Sequence, residues 1–521
     1  MHRRKLPIGI QTFREIREEN HYYVDKTSFA WRLIEGGKYY FLSRPRRFGK
    51  SLFLDTLAEI FAGKEPLFRG LFIHDKWDWG IRYPVIRISF AEGRLESRTE
   101  LDRRIRKLLL DNKRRLGVVC DDDSDIAGCF SDLIAGASHA HGQRAVVLVD
   151  EYDKPILDNI AKPEIAREMR EGLRNLYSVI KGQDAHIRFA FLTGVSKFSK
   201  VSLFSGLNNL YDITLSAAYG SVCGYTDEDV DTVFAPELHG LDRQEIRSWY
   251  NGYRWLGEAV YNPFDLLLLF KEREFRPYWF ETGTPTFLID LLMRRRVFVP
   301  DLARLRTSAD LLGRFDVDDI ATEALLFQTG YITITGADQP VLGKWIYSLG
   351  FPNREVESCL NEALIPYLGL DAQKTLGNRL RILEALQEDD FATLRLLLNV
   401  LFDSIPHEWY RKNDIDRFEG FYASVFYSHL AALGLDIRVE DSNSRGQVDM
   451  AILSDDHVWI FEFKVVEDKA QGRALAQIKD KDYAAKYRAA NRTVHLLGVE
   501  FSRQSRNIVS FEVESEGHIG S

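Results

Sequence analysis

Arg44-Pro45-Arg46-Arg47-Phe48-Gly49-Lys50-Ser51 is the stretch on which the reading of the fold turns. It follows the short aromatic run Tyr39-Tyr40-Phe41-Leu42. It opens a segment in which Leu54, Leu57, Ala58 and Phe61 recur at helical spacing. The pattern predicts strand, tight turn and helix, the context in which loop amides and a helix N-terminus together form an anion cradle. On this reading Arg46, Arg47, Phe48, Gly49, Lys50, Ser51 and Leu52 wrap a polyphosphate, with Lys50 reaching the β- and γ-phosphates and Ser51 taking a place on Mg2+. One position departs from G-x-x-x-x-G-K-[ST]. Arg44 stands where the first glycine belongs, and a β-carbon there restricts the turn. The plain alternative is an ordinary strand-to-helix turn with a chance Gly-Lys-Ser.

Two more runs fit the same core. Ala145 to Val149 is continuously apolar, as expected of a strand buried on both faces of a parallel sheet, and it ends in Asp150-Glu151. Acids at that end lie where open α/β sheets bind ligands. Asp150 is the expected holder of Mg2+, and Glu151 the group that polarises the attacking water; a solvated strand end is the alternative. A third strand, Ile187 to Leu192, leads into Thr193-Gly194-Val195-Ser196. The Thr193 hydroxyl either senses the γ-phosphate or caps the following turn.

Near the C-terminus, Val448–Leu453 and Val458–Val466 predict a hairpin turning at Ser454-Asp455-Asp456-His457. Strand alternation puts Glu462 and Lys464 on one face and Phe461, Phe463 and Val465 on the other, with Asp449 meeting Glu462 across the pair. Two carboxylates and a lysine on one sheet edge suit Mg2+ or Mn2+ and a water aimed at a phosphodiester, with Lys464 steadying the developing charge. Amphipathic strands also carry Glu and Lys simply as a wet face.

These residues carry a resemblance. Tyr23-Val24-Asp25-Lys26-Thr27, Arg44 to Ser51, Val149-Asp150-Glu151-Tyr152-Asp153 and Thr193-Gly194-Val195-Ser196-Lys197-Phe198-Ser199 are similar to motifs of the AAA-ATPase-like family. Members commonly carry a PD-(D/E)xK nuclease-superfamily domain at the C-terminus. The family loop tends to read Arg-Pro-Arg-Arg-Phe-Gly-Lys-Ser, so Arg44 is a family trait. The resemblance extends through Trp249-Tyr250-Asn251-Gly252-Tyr253 and Tyr261-Asn262-Pro263-Phe264. It implies ATP binding with hydrolysis, and an adenine pocket lined by Leu6 to Phe13. It also implies that Asp449, Glu462 and Lys464 form a D…(E)-x-K core, with Glu419 as the preceding helix glutamate and further metal ligand. Gln477 and Tyr483 resemble the Q…Y element of RecB-like members, at longer spacing.

The whole chain reads as α/β. Its 521 residues suggest three or more domains at about 150 residues each. We expect an AAA-like P-loop ATPase domain over 1–224, a helical and winged-helix-like region over 225–405, and a PD-(D/E)xK nuclease-like, restriction-endonuclease-like α/β domain over 406–521. A net charge of −8 excludes a whole-molecule basic field, so DNA or other nucleic acid would have to be met by local patches. Four cysteines without a C-x-x-C pair indicate neither a zinc site nor a disulfide framework, and a reducing cytoplasm is the simplest home. No run approaches the ~18 apolar residues of a membrane span.

Arg103 to Arg115 reads as a solvated helix face. Thr226 and Asp229 suggest a helix cap. The aromatics Trp249, Tyr250, Tyr253, Trp255, Tyr261, Tyr278, Trp279 and Phe280 read as packing against the ATPase core, in preference to base stacking. A helix ending at Gly330, followed by an alternating strand from Tyr331 to Thr335, fits a winged-helix-like module.

The leading functional expectation is an ATPase coupled to a metal-dependent nuclease-like domain, working in DNA processing or defence. The other is an ATP-driven signalling or scaffold switch whose inactive nuclease-like domain binds a partner. Arg46, Arg47 and an arginine from a neighbouring subunit are all candidates for an arginine finger, which leaves a homo-oligomer open.

Overall fold

Tyr39–Ser43 forms strand β1, buried along its whole length, and the glycine-lysine turn after it launches the helix Lys50–Phe61. In this computed structural model the described residues are 3–120, 122, 124–197, 209–279, 305–313, 315–365, 372–403, 418–443, 446–488, 492–505 and 507–516, with a few isolated positions between 288 and 302. The chain divides into two compact units, Met1–Gly283 with Leu305–Asn353, and Thr284–Arg304 with Arg354–Ser521.

The first unit is built on a five-stranded sheet. Its other strands are β2 (Val85–Ser89), β3 (Ala145–Asp150), β4 (Ile187–Gly194) and β5 (Tyr211–Asp212), in the order β2-β3-β4-β1-β5. Every pairing is parallel. The absence of polar alternation in β3 follows from this, because helices cover both faces and all six residues are buried. The strand order has a functional consequence. Since β4 runs between β1 and β3, Thr193 pairs with Leu42 just before the glycine-lysine turn, while Leu192 pairs with Val149 just before Asp150. Three strand ends therefore converge. Leu54, Leu57, Ala58 and Phe61 are buried on the helix Lys50–Phe61, as their spacing predicts.

Downstream, Thr226 and Asp229 form a reciprocal capping box on the helix Asp227–Val233, aspartate replacing the usual glutamate. Val230, Phe234, Ile246, Tyr250, Tyr261 and Leu266 form one apolar cluster together with Tyr22 and Val24 from the N-terminal segment. Tyr253, Trp255, Tyr278 and Trp279 are also buried. The aromatics are packing material, as expected, and Phe280 lies outside the described residues. The basic stretch falls on the helix Arg98–Leu116, which buries Leu101, Ile105 and Leu109 and keeps most of its cations wet.

The helix Thr322–Thr329 stops at Gly330, whose φ of 94° suits glycine and whose missing side chain lets Pro45 approach. A three-stranded antiparallel sheet pairs β6 (Arg306–Ser308) and β9 (Thr333–Val341) with β10 (Lys344–Gly350) between them. A two-residue pair, β7 (Phe315–Asp316) and β8 (Asp319–Ile320), lies nearby in sequence.

The second unit carries a mixed sheet of β11 (Asp436–Asn443), β12 (Gly446–Leu453), β13 (His457–Val466), β14 (Thr493–Ser502) and β15 (Ile508–Glu516), in chain order. Only the β13–β14 pair is parallel. The helices Arg354–Leu364, Ala372–Gln387 and Phe391–Asp403 belong to this unit. The first docks through Glu357, which accepts from Tyr427 at 2.7 Å, and the third through the Phe402–Phe501 ring pair at 4.9 Å. His407 and the segment around 405–406 lie outside the described residues.

Cys120 and Cys129 are joined, their Cα atoms 5.1 Å apart, a disulfide that the spacing of the four cysteines did not indicate. The link closes the short loop before the helix Ile126–His141; a nine-residue separation carries no sequence signature of its own. Among the described residues, no helix is long and apolar enough to cross a membrane.

Candidate functional site

Gly49 sits at φ 90° as the N-cap of the helix Lys50–Phe61, so the turn needs a residue without a β-carbon at that position. Arg44 does not. Its backbone is not left-handed, and its side chain is buried. Nη1 donates to the carbonyls of Ser43 at 2.8 Å and Thr214 at 3.0 Å, and Nη2 donates to that of Tyr219 at 3.1 Å. The altered position of the motif is thus a brace between β1 and the chain beyond β5. Burial pushes the Arg44 guanidinium down to about 10.

Beside the turn lies a cavity of about 540 Å3, lined by Arg46, Arg47, Phe48, Gly49, Lys50, Ser51 and Leu52. Glu151 and Lys154 also line it, as do Pro7, Gly9, Ile10 and Gln11 from the N-terminal segment expected at the adenine. Its far wall is Val222 to Tyr225 with Pro263, Phe264 and Leu267. The volume falls within the roughly 300–1,000 Å3 of small-molecule sites. Lys50 is buried and donates to the carbonyls of Arg44 at 3.0 Å and Pro45 at 2.8 Å. Burial lowers its affinity for a proton, and Asp150 opposes that most. A lysine held on loop carbonyls beside such a cavity is the donor a polyphosphate would take over. Arg47 lies over the Phe264 ring at 4.7 Å, and Phe48 is wedged edge-on against Tyr253 and Trp255. Phe48 therefore offers a ligand its backbone only.

At the end of β3, Asp150 is buried and accepts from the Glu151 amide at 3.0 Å. Burial first, and Asp150 second, raise the Glu151 carboxyl above its usual range. Glu151 at φ 49° and Arg47 at φ 69° both hold left-handed backbone that side chains rarely adopt, and both border the cavity. Thr193 does not line it. Its hydroxyl donates to the Leu42 carbonyl at 2.9 Å, bridging β4 to β1.

The second constellation is on β12 and β13. The Phe463 amide donates to Asp449 at 2.7 Å, and Lys464 donates to Glu462 at 2.9 Å. Gln477, on the helix Arg473–Asp480, also donates to Glu462. Glu462 is 1% exposed; burial, then the neighbouring Asp449, push its carboxyl up to about 7. Two like charges crowded together on the inner strands β12 and β13, not on a sheet edge as expected, are what a divalent cation would relieve, so the donor set fits Mg2+ or Mn2+ through Asp449 and Glu462. Phe461 and Phe463 turn to the opposite face, against Phe426. Tyr483 is core, packed with Ile478 and Leu496. Glu419 lies on the helix Phe418–Ala431, and its side chain lies outside the described residues.

Both constellations lie within stretches that match known protein families. Residues 7–204 match the family model described as predicted AAA-ATPase, and residues 417–511 that of the PD-(D/E)XK nuclease superfamily. An "Uncharacterized protein in vnfD 5'region" of Azotobacter chroococcum mcd 1 is 61% identical over 518 residues, covering 99% of this chain and 100% of that one. The chain belongs to the AAA-ATPase-like family. Its tail is a PD-(D/E)XK nuclease-superfamily domain. No solved structure matches it.

Within this family frame, three side chains at or near the cavity beside Lys50 carry no individual signal in the sequence. Asp153 is buried and accepts from the Ser196 amide at 2.6 Å, from its hydroxyl, and from the Val195 amide. It holds the loop after β4 against β3, and burial raises its carboxyl. Lys26 lines the cavity and donates to Asp229 at 2.9 Å. Cys223 lines it as a buried free thiol. Asp153 and Lys26 both stand inside motifs that the resemblance marks, which was the available signal.

Proposed function

We propose that the chain binds ATP with Mg2+ in the cavity beside the Gly49-Lys50-Ser51 turn and hydrolyses it. We propose further that its C-terminal domain cuts nucleic-acid phosphodiesters, DNA foremost, with Mg2+ or Mn2+. The observation that carries the first part is the sharing of one cavity by the Lys50-Ser51 helix terminus and Glu151, with Asp150 buried beside it. Asp150 and Ser51 would hold the magnesium. Glu151, whose carboxylate burial makes more basic, is suited to take a proton from the attacking water. Lys50 would leave the loop carbonyls for the polyphosphate. The bound ion would add charge neutralisation at the transferred phosphoryl group.

The convergence of Asp449, Glu462, Lys464 and Gln477 on one face supports the second part. Asp449 and Glu462 would hold the cation, and Lys464 would face the charge developing on the phosphorus. A cytoplasmic location, and ATP control of cleavage in DNA processing or defence, complete the proposal. The test is incubation of purified full-length chain with supercoiled plasmid and single-stranded DNA, with Mg2+ or Mn2+, with and without ATP. Nicking that depends on metal and changes with ATP is expected. Absence of both cutting and DNA binding would favour an ATP-set switch with an inert tail.

A further inference from the structure

We propose that Asp389, His457 and His495 form a binding site for a divalent first-row transition-metal ion, zinc being the expected occupant, separate from the Asp449–Glu462 pair. Among the described residues this is the one group of three or more such side chains whose donor atoms converge. His457 Nδ1 lies 3.0 Å from His495 Nε2, while Asp389 Oδ1 lies 3.2 Å from His495 Nε2 and 3.6 Å from His457 Nδ1. A tetrahedral zinc ion at about 2.0–2.1 Å from each donor sets its ligands about 3.3 Å apart. The triangle brackets that spacing.

The fold explains the convergence. In the parallel β13–β14 pair, His457 is level with Thr493, and His495 is level with Trp459. Alternation therefore puts His457 and His495 on one face as diagonal neighbours, and Glu462 on the other. Five strand residues at roughly 3.3 Å each also set His457 about 16 Å from Glu462.

The third donor arrives from a different element. Asp389 sits at φ 54° in the turn joining the helices Ala372–Gln387 and Phe391–Asp403. His495 Nδ1 lies 2.8 Å from Ser515 Oγ on β15. An imidazole N–H donating to that oxygen leaves Nε2 with its lone pair toward the triangle, as the outer partners of metal-bound histidines do. The His495 side chain is 2% exposed while that of Asp389 is 38% exposed, so the site is closed below and open to water as a fourth ligand above. Two imidazoles and one carboxylate suit zinc and its neighbours better than magnesium. The ion would staple the helix turn to the sheet.

The competing arrangement is a proton shared within the same triangle, with no metal. The two are separated on full-length chain stripped with chelator and returned to metal-free buffer. Zinc titration, read by competition with a chromophoric chelator and by thermal unfolding, should give one zinc equivalent and a raised Tm. Asp389→Asn and His457→Gln, both at partly exposed positions, should lose the equivalent and the Tm rise. Asp449→Ala should keep both, and cobalt should give a visible absorption band that the first two variants lack. No zinc uptake by the wild-type chain would overturn the proposal. So would uptake lost in Asp449→Ala but retained in His457→Gln.

Discussion

The Arg44 guanidinium lies 4.1 Å from the centre of the Trp255 ring, with its nitrogens on the carbonyls of Ser43, Thr214 and Tyr219. The position that carries glycine in G-x-x-x-x-G-K-[ST] here carries a buried cation that ties the loop to chain 170 and 175 residues away. Restoring the common motif with Arg44→Gly should therefore harm the protein. The loss of charged hydrogen bonds and ring contact is expected to cost about 2–4 kcal/mol. Urea unfolding of the two proteins checks it; an unchanged midpoint would remove the bracing role.

Glu151→Gln should leave nucleotide binding near wild type while lowering ATP turnover about 100-fold or more, the range lost with a general base. Binding and steady-state hydrolysis are measured separately. Equal turnover would assign the water-activating role elsewhere.

Gly194→Ala tests how β4 ends. A β-carbon there would stand 2.2 Å from Asp153 Oδ1 and 2.5 Å from the Tyr152 ring. Overpacking of about 1–3 kcal/mol is expected, together with loss of the Asp153 contacts that hold Val195 and Ser196. A stability unchanged within error would mean that the loop is not held by that contact.

Glu462 makes the C-terminal domain pH-sensitive in a defined direction. Burial, then Asp449, push its carboxyl up to about 7, from 4.5 for an ordinary glutamate. The metal-free fold binds that proton more tightly than the unfolded chain does. Stability contributed by the protonated carboxyl is therefore full below 4.5 and is lost as pH rises toward 7. Divalent binding needs the carboxylate. Mn2+ affinity at this site should rise roughly tenfold per pH unit up to about 7 and flatten above it. Glu462→Gln should abolish the dependence. Calorimetric titration between about pH 5.5 and 8.5 decides, and a flat profile in the wild-type chain would contradict the assignment.

The legible parts of this molecule were those whose signal is local. The turn at Gly49-Lys50-Ser51, the apolar run of β3 and the two-residue alternation around Glu462 and Lys464 each announce their own backbone. Partnerships formed across the chain were less visible. Arg44 finds Thr214 and Trp255, Asp153 reaches Ser196, and Gln477 reaches Glu462 only because parallel strands and returning helices bring them together. The same applies to His457 and His495, 38 residues apart, and to Asp389, which neither spacing nor motif linked to them. Sequence suggests Thr193 as a sensor or a cap. Its hydroxyl bond to Leu42 is a cross-strand bridge that depends on β4 lying beside β1, an order no local pattern records.

Isothermal titration of the full-length chain with ATP and Mg2+ bears most directly on the central claim. One binding event per chain is expected, absent in Lys50→Ala, whose fold is checked by its unfolding midpoint. No heat of binding from the wild-type chain, or the same isotherm from a folded Lys50→Ala variant, would contradict the account.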